Sequence, residues 1–383
     1  MEDLELLTRF RRDLHRIPEL SFDLPETVAY VTHVLEGLSC EVTSPCESCV
    51  CAYFDVDTAL GRTPGGPATA IRADMDALPI TEKSGVEFCS TKPGHMHACG
   101  HDSHMAMALA AACWVDEVLH GDPTQAAEPL GRNVLFVFQP AEETTGGARL
   151  VCESGVFERY HADRIFGFHV WPDLPAGVIA SRPGPLLARA SETHLTVHGT
   201  STHIAKSEEG NDALLAAAHF LVYVESLMAH LSQREPCLLK FGHMTSGTVC
   251  NAISAESAVE GSLRVFSESM FDDARAGVEE CARRACDAYG CTYDLTFADG
   301  YPPVRNDEEL YGLAKGALGE RLTLLPEPPL IAEDFAFYQR HLPGAFFLLG
   351  TGTATPLHSD TFVMDEHVLE YGLNAYRTLL AIK

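Results

Sequence analysis

The sequence is short of positive charge: 27 Lys and Arg stand against 54 Asp and Glu in 383 residues, a formal net charge of −27. A surface that acidic repels phosphate backbones and anionic headgroups, which excludes nucleic acid and membrane surfaces as partners. Long apolar runs are missing too. The most hydrophobic stretches, 106–115 and 214–224, are too short or too broken to cross a bilayer. The amino terminus reads Met1-Glu-Asp-Leu-Glu-Leu-Leu-Thr, with no basic segment ahead of an apolar one. A secretory leader is therefore not expected, and a cytoplasmic location is. No internal repeat or low-complexity segment is evident.

What is abundant is imidazole and thiol, with 18 His and 13 Cys. The cysteines are odd in number and scattered through a chain whose 46% hydrophobic content can bury a core without staples. They read as reduced thiols. Together with the histidines they hint at transition metal.

Length alone suggests two or three domains. Amphipathic helices are expected over 4–17, ending before Pro18, and 25–38. Ala68 to Ala73 reads as a short strand, and 102–120 as a helix behind Gly100. Asn133 to Phe138, Arg164 to His169 and Phe346 to Gly350 are short apolar runs bounded by Pro and Gly, the pattern of buried parallel strands. Strands alternating with helices predict an α/β domain with a mostly parallel sheet flanked by helices. A Pro/Gly-rich stretch, Ser181-Arg-Pro-Gly-Pro185, reads as a hinge. After it, alternation at Thr193, Leu195 and Val197, a helix over 211–233, strands over 238–243 and 257–266, a helix over 270–289 and a strand over 292–297 follow in order. That is β-α-β-β-α-β, a ferredoxin-like unit. The expected division is a catalytic domain from 1–187 and 298–383, with an inserted lid over 188–297.

The densest chemical signal is His95-Met-His-Ala-Cys-Gly-His-Asp-Ser-His104. Cys99 and His101 are two apart, and in extended backbone such residues point the same way, so both could reach one ion. Thiolate and neutral imidazole suit Zn, Mn, Co or Ni. The second signal, Gln139-Pro-Ala-Glu-Glu-Thr144, follows the 133–138 strand. Adjacent carboxylates there repel each other unless a cation or proton intervenes. One can ligate metal while the other acts as general base towards water. His169 ends another apolar strand, and His358 follows the 346–350 strand. Arg72-Ala-Asp-Met-Asp-Ala-Leu-Pro79 adds Asp74 and Asp76. These groups all fall at the expected carboxyl edge of the sheet, where open α/β sheets build their sites, and make a candidate two-metal site. Cys46-Glu-Ser-Cys-Val-Cys51 reads instead as a strand carrying buried thiols, since no second pair follows at zinc-ribbon distance.

Arg72-Ala-Asp-Met-Asp-Ala-Leu-Pro, His97-Ala-Cys-Gly-His-Asp-Ser-His, Gln139-Pro-Ala-Glu-Glu, Gly167-Phe-His-Val and Pro356-Leu-His-Ser-Asp together resemble the metal-dependent aminoacylase/amidohydrolase family. Hippurate hydrolases, bacterial N-acyl-amino-acid deacylases and plant indole-acetyl-amino-acid hydrolases belong to it. The likeness runs in the family's order from Leu14-His-Arg-Ile-Pro-Glu19 to the carboxyl terminus. It implies two divalent ions per subunit (Mn, Zn, Ni or Co) on Cys99, His101, Glu143, His169 and His358, with Glu142 as catalytic base. It also implies an inserted lid that makes a homodimer or homotetramer.

In the lid the likeness is looser. His203 matches the family's histidine, but Ser201-Thr202 replaces its glycines and the following proline is missing; Asn251 matches an asparagine, with Ser254 in place of a proline. Arg264, in Gly261-Ser-Leu-Arg264, fits a clamp for a substrate carboxylate. Cys99 is the candidate bridging ligand and Asp76 the candidate for orienting a ligand from behind, with Asp74 a possible ligand in its place. The expected activity is hydrolysis of the amide of an N-acyl-amino acid. The alternatives are a dipeptidase or carboxypeptidase on the same fold, or a non-catalytic metal-binding relative. The presence of Glu142 beside Glu143 argues against the last.

Overall fold

The computed structural model describes residues 3–121, 130–144 and 146–383. In chain order the elements are α1 (Asp3–His15), α2 (Pro25–Glu36), β1 (Glu41–Thr43), β2 (Val50–Phe54), α3 (Val56–Ala59), β3 (Ala68–Asp74), α4 (His101–His120), β4 (Asn133–Gln139), α5 (Gly147–Glu153), α6 (Val156–Arg159) and β5 (Ala162–Trp171). Then come β6 (Ile179–Ser181), β7 (Gly184–Leu187), β8 (Arg189–His198), α7 (Ala213–Leu231), β9 (Leu238–Ser246), β10 (Glu256–Val265), α8 (Glu268–Tyr289) and β11 (Thr292–Phe297). The chain closes with β12 (Val304–Asn306), α9 (Glu308–Leu318), β13 (Leu322–Leu324), β14 (Gly344–Gly350) and α10 (Val368–Leu380).

The chain divides into two compact units. The larger comprises Met1–Gly184, Arg305–Glu327 and Asp334–Lys383; the smaller comprises Pro185–Val304 and Pro328–Glu333.

The larger unit is built on a sheet ordered β1-β2-β4-β3-β5-β14-β6-β13. Its centre, β4-β3-β5-β14, is parallel, while β1, β2 and β6 join antiparallel. Every residue of β3, β4 and β14 is buried, because helices cover both faces of a parallel sheet and leave no strand position facing water. Helix α4 is itself buried along its first three turns, with α1 and α10 packed against it. The expected α/β class with a mostly parallel central sheet is what the chain adopts.

The smaller unit is a four-stranded antiparallel sheet, β11-β8-β10-β9, backed by α7 and α8. Its order along the chain is the expected β-α-β-β-α-β, and β8 alternates buried with more exposed residues as a half-covered strand must. One expectation is corrected. The apolar run at 214–224 lies in α7, a continuous helix long and apolar enough by length and composition to cross a membrane. Its Ala216, Phe220, Val224 and Met228 are buried in the unit's own core.

Candidate metal centre

Five segments of the larger unit bring the predicted residues together. Cys99 and His101 come from the start of α4, though not by the extended geometry expected of them. Gly100 between them takes φ +84°, and a Cβ there would sit 2.4 Å from Val170 Cγ2. Only glycine fits, and this left-handed residue turns His101 into the first helical position, facing the same point as the Cys99 thiol. Nor does a strand precede them: residues 75–100 run as loop with isolated bridges.

The histidine tautomers are set by backbone carbonyls. His101 Nδ1–H donates to the Asp76 carbonyl at 2.8 Å and His169 Nδ1–H to the Val170 carbonyl at 2.7 Å, which leaves both Nε2 lone pairs free to ligate. His169 Nε2 lies 3.4 Å, and His358 Nε2 3.3 Å, from Cys99 Sγ. Glu143 Oε1 approaches His358 Nε2 to 3.4 Å and His101 Nε2 to 3.8 Å.

These atoms form overlapping sets compact enough to hold an ion: Cys99, His101 and His169; Cys99, Glu143 and His358; His101, Glu142 and Glu143. Cys99 is common to the first two. His101 Nε2 and Glu143 Oε1 are buried with no hydrogen-bond partner among the described residues. Buried polar atoms left unpaired are costly, and a cation between them would satisfy both. Sulfur, nitrogen and oxygen donors of this kind suit a divalent transition metal.

The electrostatics agree. Burial, then the charges of Glu143 and Glu142, push the Cys99 thiol well above its usual range. Burial works against a charged His101, yet Asp74, Asp76 and Glu143 pull it up to about 10. Burial also works against Glu143, which His358 and His101 nevertheless hold below the usual carboxylate range. The pocket is rich in acidic groups and asks for positive charge.

Glu142 sits on a loop held from beneath. Pro140 ends β4, and Ala141 takes φ +56°, a strained value for a residue with a side chain. The backbone N–H groups of Glu142 and Glu143 donate to the two oxygens of Asp76, at 2.9 and 3.1 Å. Asp76 therefore reaches the site twice, through its carbonyl to His101 and through its carboxylate to this loop. Asp74 is engaged on both oxygens, Oδ2 accepting from Arg72 at 2.6 Å and Oδ1 from His104 Nδ1–H at 2.6 Å, and with His101 and His104 it forms a further compact donor set.

Of the four clustered histidines, His101 joins a donor set with Cys99, and His104 stacks beside it with ring centroids 5.5 Å apart. His104 is used on both nitrogens, accepting from Val170 N–H at 2.9 Å. His95 Nδ1 lies 3.3 Å from the Pro18 carbonyl, and His97 is buried beside His15. The sequence reading missed Asp334, which accepts from Arg72 and Gln139, each at 2.8 Å, and from Ala148 N–H at 3.0 Å. Arg72, Asp74 and Asp334 are all fully buried, an ion network beneath the loop that carries Glu142. The available signal was Arg72 and Asp74, two charges on one face of an otherwise apolar strand.

His203, Asn251 and Arg264 lie in the smaller unit. The first two are adjacent: Ile204 N–H donates to the Asn251 carbonyl at 2.9 Å, and His203 bridges Ala252. Arg264 is not with them. It pairs with Ala190, at the far end of β10 from Glu256, which pairs with His198. At about 3.3 Å per residue the two ends are about 26 Å apart. Arg264 is half-buried, and desolvation alone lowers its pKa.

An open α/β sheet carrying such a donor set at its edge is the build of a metallopeptidase-type hydrolase. The family model for Peptidase family M20/M25/M40 matches residues 70–382, and the chain belongs to that family. It is 33% identical over 392 residues to an uncharacterized hydrolase of Staphylococcus aureus (strain USA300), covering 99% of this chain and 98% of the relative. A crystal structure from Bacillus subtilis, described as a dinuclear metal binding peptidase from the M20 family, superposes with TM-score 0.83 at 32% identity over 99% of this chain and 98% of that one. A Klebsiella pneumoniae aminobenzoyl-glutamate utilization protein, at 19% identity and TM-score 0.63 over 98% of this chain and 94% of that one, shares the fold.

Proposed function

We propose that this hydrolase cleaves the amide bond of N-acyl-amino acids, releasing a carboxylic acid and a free amino acid. The observation that carries the reading is Glu142, a second carboxylate fixed by Asp76 beside the cluster that shares Cys99. Holding metal does not call for it; activating water does. Cys99, His101, Glu143, His169 and His358 would hold two divalent ions, Cys99 being common to two of the compact donor sets. Such ions supply Lewis-acid polarisation of the amide carbonyl and make water easier to deprotonate. Glu142 takes the proton of the attacking water and returns it to the departing amine. Asp76 keeps that carboxylate aimed by fixing the peptide behind it.

The likeness of the five motifs to acyl-amino-acid hydrolases supports the substrate class, and a half-buried Arg264 fits the free carboxylate such substrates carry. The two ends of β10 are too far apart for one small substrate to touch both, so we assign His203 and Asn251 to one metal centre of a homodimer and Arg264 to the other. Exposed Leu214, Leu215 and Val222 on α7, with β9 unpaired at the sheet edge, support a second copy as the partner. The 13 cysteines are all free, which fits a reducing cytoplasm.

The test is a substrate panel. Metal-reconstituted protein is offered N-acetyl, N-benzoyl and indole-acetyl amino acids alongside dipeptides, and amine release is measured. Turnover should be fastest on an N-acyl-amino acid. Faster release from dipeptides would assign the chain to the dipeptidases of the fold instead.

A further inference from the structure

The segment 46–51 places three thiols at one turn and the start of β2, which pairs with β4. Cys49 N–H donates to the Cys46 carbonyl at 3.2 Å, closing a four-residue β-turn. Ser48 occupies the left-handed corner of that turn at φ +54°, and its hydroxyl donates to the Phe22 carbonyl at 2.5 Å. A closed β-turn brings its first and last Cα atoms within about 7 Å, overlapping the span a disulfide needs. Beyond the turn, Cys51 is the second residue of β2, paired with Val137 of β4, and its sulfur lies 3.9 Å from that of Cys49. Cys49 and Cys51 are fully buried, while Cys46 is half-buried. Cys49 is thus a buried thiol in contact with one neighbour that solvent can reach and one that it cannot.

We propose that Cys46 and Cys49 are an oxidative modification site, closing to a disulfide when the protein meets a hydroperoxide. The Cys46 thiolate attacks one peroxide oxygen; the O–O bond breaks, leaving Cys46 as a sulfenic acid and releasing one hydroxide or alkoxide. Cys49 gives up its proton to that leaving group and attacks the Cys46 sulfur. The S–S bond forms as the S–O bond breaks, and the departing hydroxide takes up the proton that Cys46 released to solvent on becoming a thiolate. Two electrons pass from the thiol pair to the peroxide.

The roles follow from position. Cys46 is the member a peroxide can reach, and the Cys49 thiol, by donating a hydrogen bond to it, lowers its pKa despite burial. The attacking sulfur must be a thiolate, so this contact favours Cys46 as the first atom oxidised. Cys49 waits at the other end of the turn as the resolving thiol. Cys51 is tied into the β2–β4 ladder two residues along an extended strand, where a bridge to Cys49 would span the outer limit of disulfide geometry. Cys89 and Cys250 are more exposed, but neither has another cysteine within three residues in the sequence as Cys46 has.

Mass spectrometry tests this without reading the activity of the metal enzyme. Reduced full-length protein is treated with one to a few equivalents of hydrogen peroxide, quenched with a maleimide and digested. The peptide carrying residues 46–51 should lose two hydrogens, link Cys46 to Cys49 and carry a single maleimide on Cys51, with dithiothreitol restoring all three labels. This should occur before Cys89, Cys99 or Cys250 loses label. Cys46→Ser should abolish the link, and Cys51→Ser should keep it. Full labelling of all three thiols while Cys89 or Cys250 is already oxidised, or a link that contains Cys51, would overturn the proposal.

Discussion

The carboxylate of Asp76 accepts the backbone N–H of Glu142 at 2.9 Å, a contact that fixes the peptide plane carrying the proposed base. The second oxygen does the same for Glu143 at 3.1 Å, and the Asp76 carbonyl fixes the His101 tautomer at 2.8 Å. One residue therefore orients three groups, all from beneath the site.

Asp76→Ala should free the 141–143 turn, whose Ala141 is already strained, and lower turnover by about 10–100-fold, the usual cost of losing an outer-shell partner. Asp76→Asn keeps one acceptor but sets an amide N–H against a backbone N–H, so it should recover only part of the loss. Kinetics measured at saturating metal check this. Wild-type turnover in Asp76→Ala would show that the loop holds its shape unaided.

Glu142→Ala should retain bound metal and lose about 10²–10⁴-fold in turnover, the contribution of a placed general base. Metal content by elemental analysis and amine release are measured on the same sample. Near-normal turnover would remove Glu142 from the mechanism.

Cys99→Ser should lower metal content and activity together. Two of the compact donor sets share Cys99, and a hard hydroxyl replaces a soft thiolate in both. Chelators should inactivate the wild type, and added divalent metal should restore it. Two tightly held ions per chain in Cys99→Ser would rule out a bridging thiolate.

How far the sequence could be read depended on whether a feature was local. The runs 133–138 and 346–350 were legible as buried strands, because strands covered on both faces leave an unbroken apolar record. The three-residue strands β6 and β13 were not, since their pairing is fixed by neighbours rather than by pattern. At the site, the position of Glu142 just past β4 was legible, while His169 lies two residues inside the end of β5 rather than at it, and the separate roles of four histidines within ten residues were not legible. Those roles rest on tautomers set by Asp76, Val170 and Asp74, and on a left-handed Gly100 that breaks the extended geometry the spacing suggested. Asp334 lies 262 residues from Arg72, and no local pattern announces that pairing.

His15 gives a pH-dependent stability. It is buried, with Nδ1 2.8 Å from Asp102 and Nε2 3.2 Å from Glu82. Burial disfavours its charge, but the hydrogen bonds to Asp102 and Glu82 prevail and raise its pKa from 6.5 to about 9. A raised folded-state pKa stabilises fully below the unfolded value and loses its effect as pH climbs through the folded one. The stability difference between wild type and His15→Gln should therefore be largest at pH 6.5 and below, at most about 3 kcal/mol, and shrink towards pH 9. Denaturant unfolding across that window measures it. A difference that stays constant with pH would mean that His15 is not charged in the folded chain.

The last prediction concerns His203 and follows from the 26 Å or so between the two ends of β10. The ring is exposed, and its Nδ1 accepts from Ala205 N–H at 3.2 Å, so the proton of the neutral ring sits on Nε2 and points away from the backbone. That tautomer can donate to a developing oxyanion, a contact whose loss typically costs about 10²–10³ in turnover. If His203 serves the partner's centre, mixing His203→Ala with Glu142→Ala chains produces dimers in which one site lacks both residues and the other is intact. Two nearly inactive preparations should then regain activity after subunit exchange, approaching a quarter of the wild-type rate for equal, random mixing. Recovery of nothing, in a mixture shown by mass to contain mixed dimers, would place His203 in its own chain's site or outside catalysis altogether.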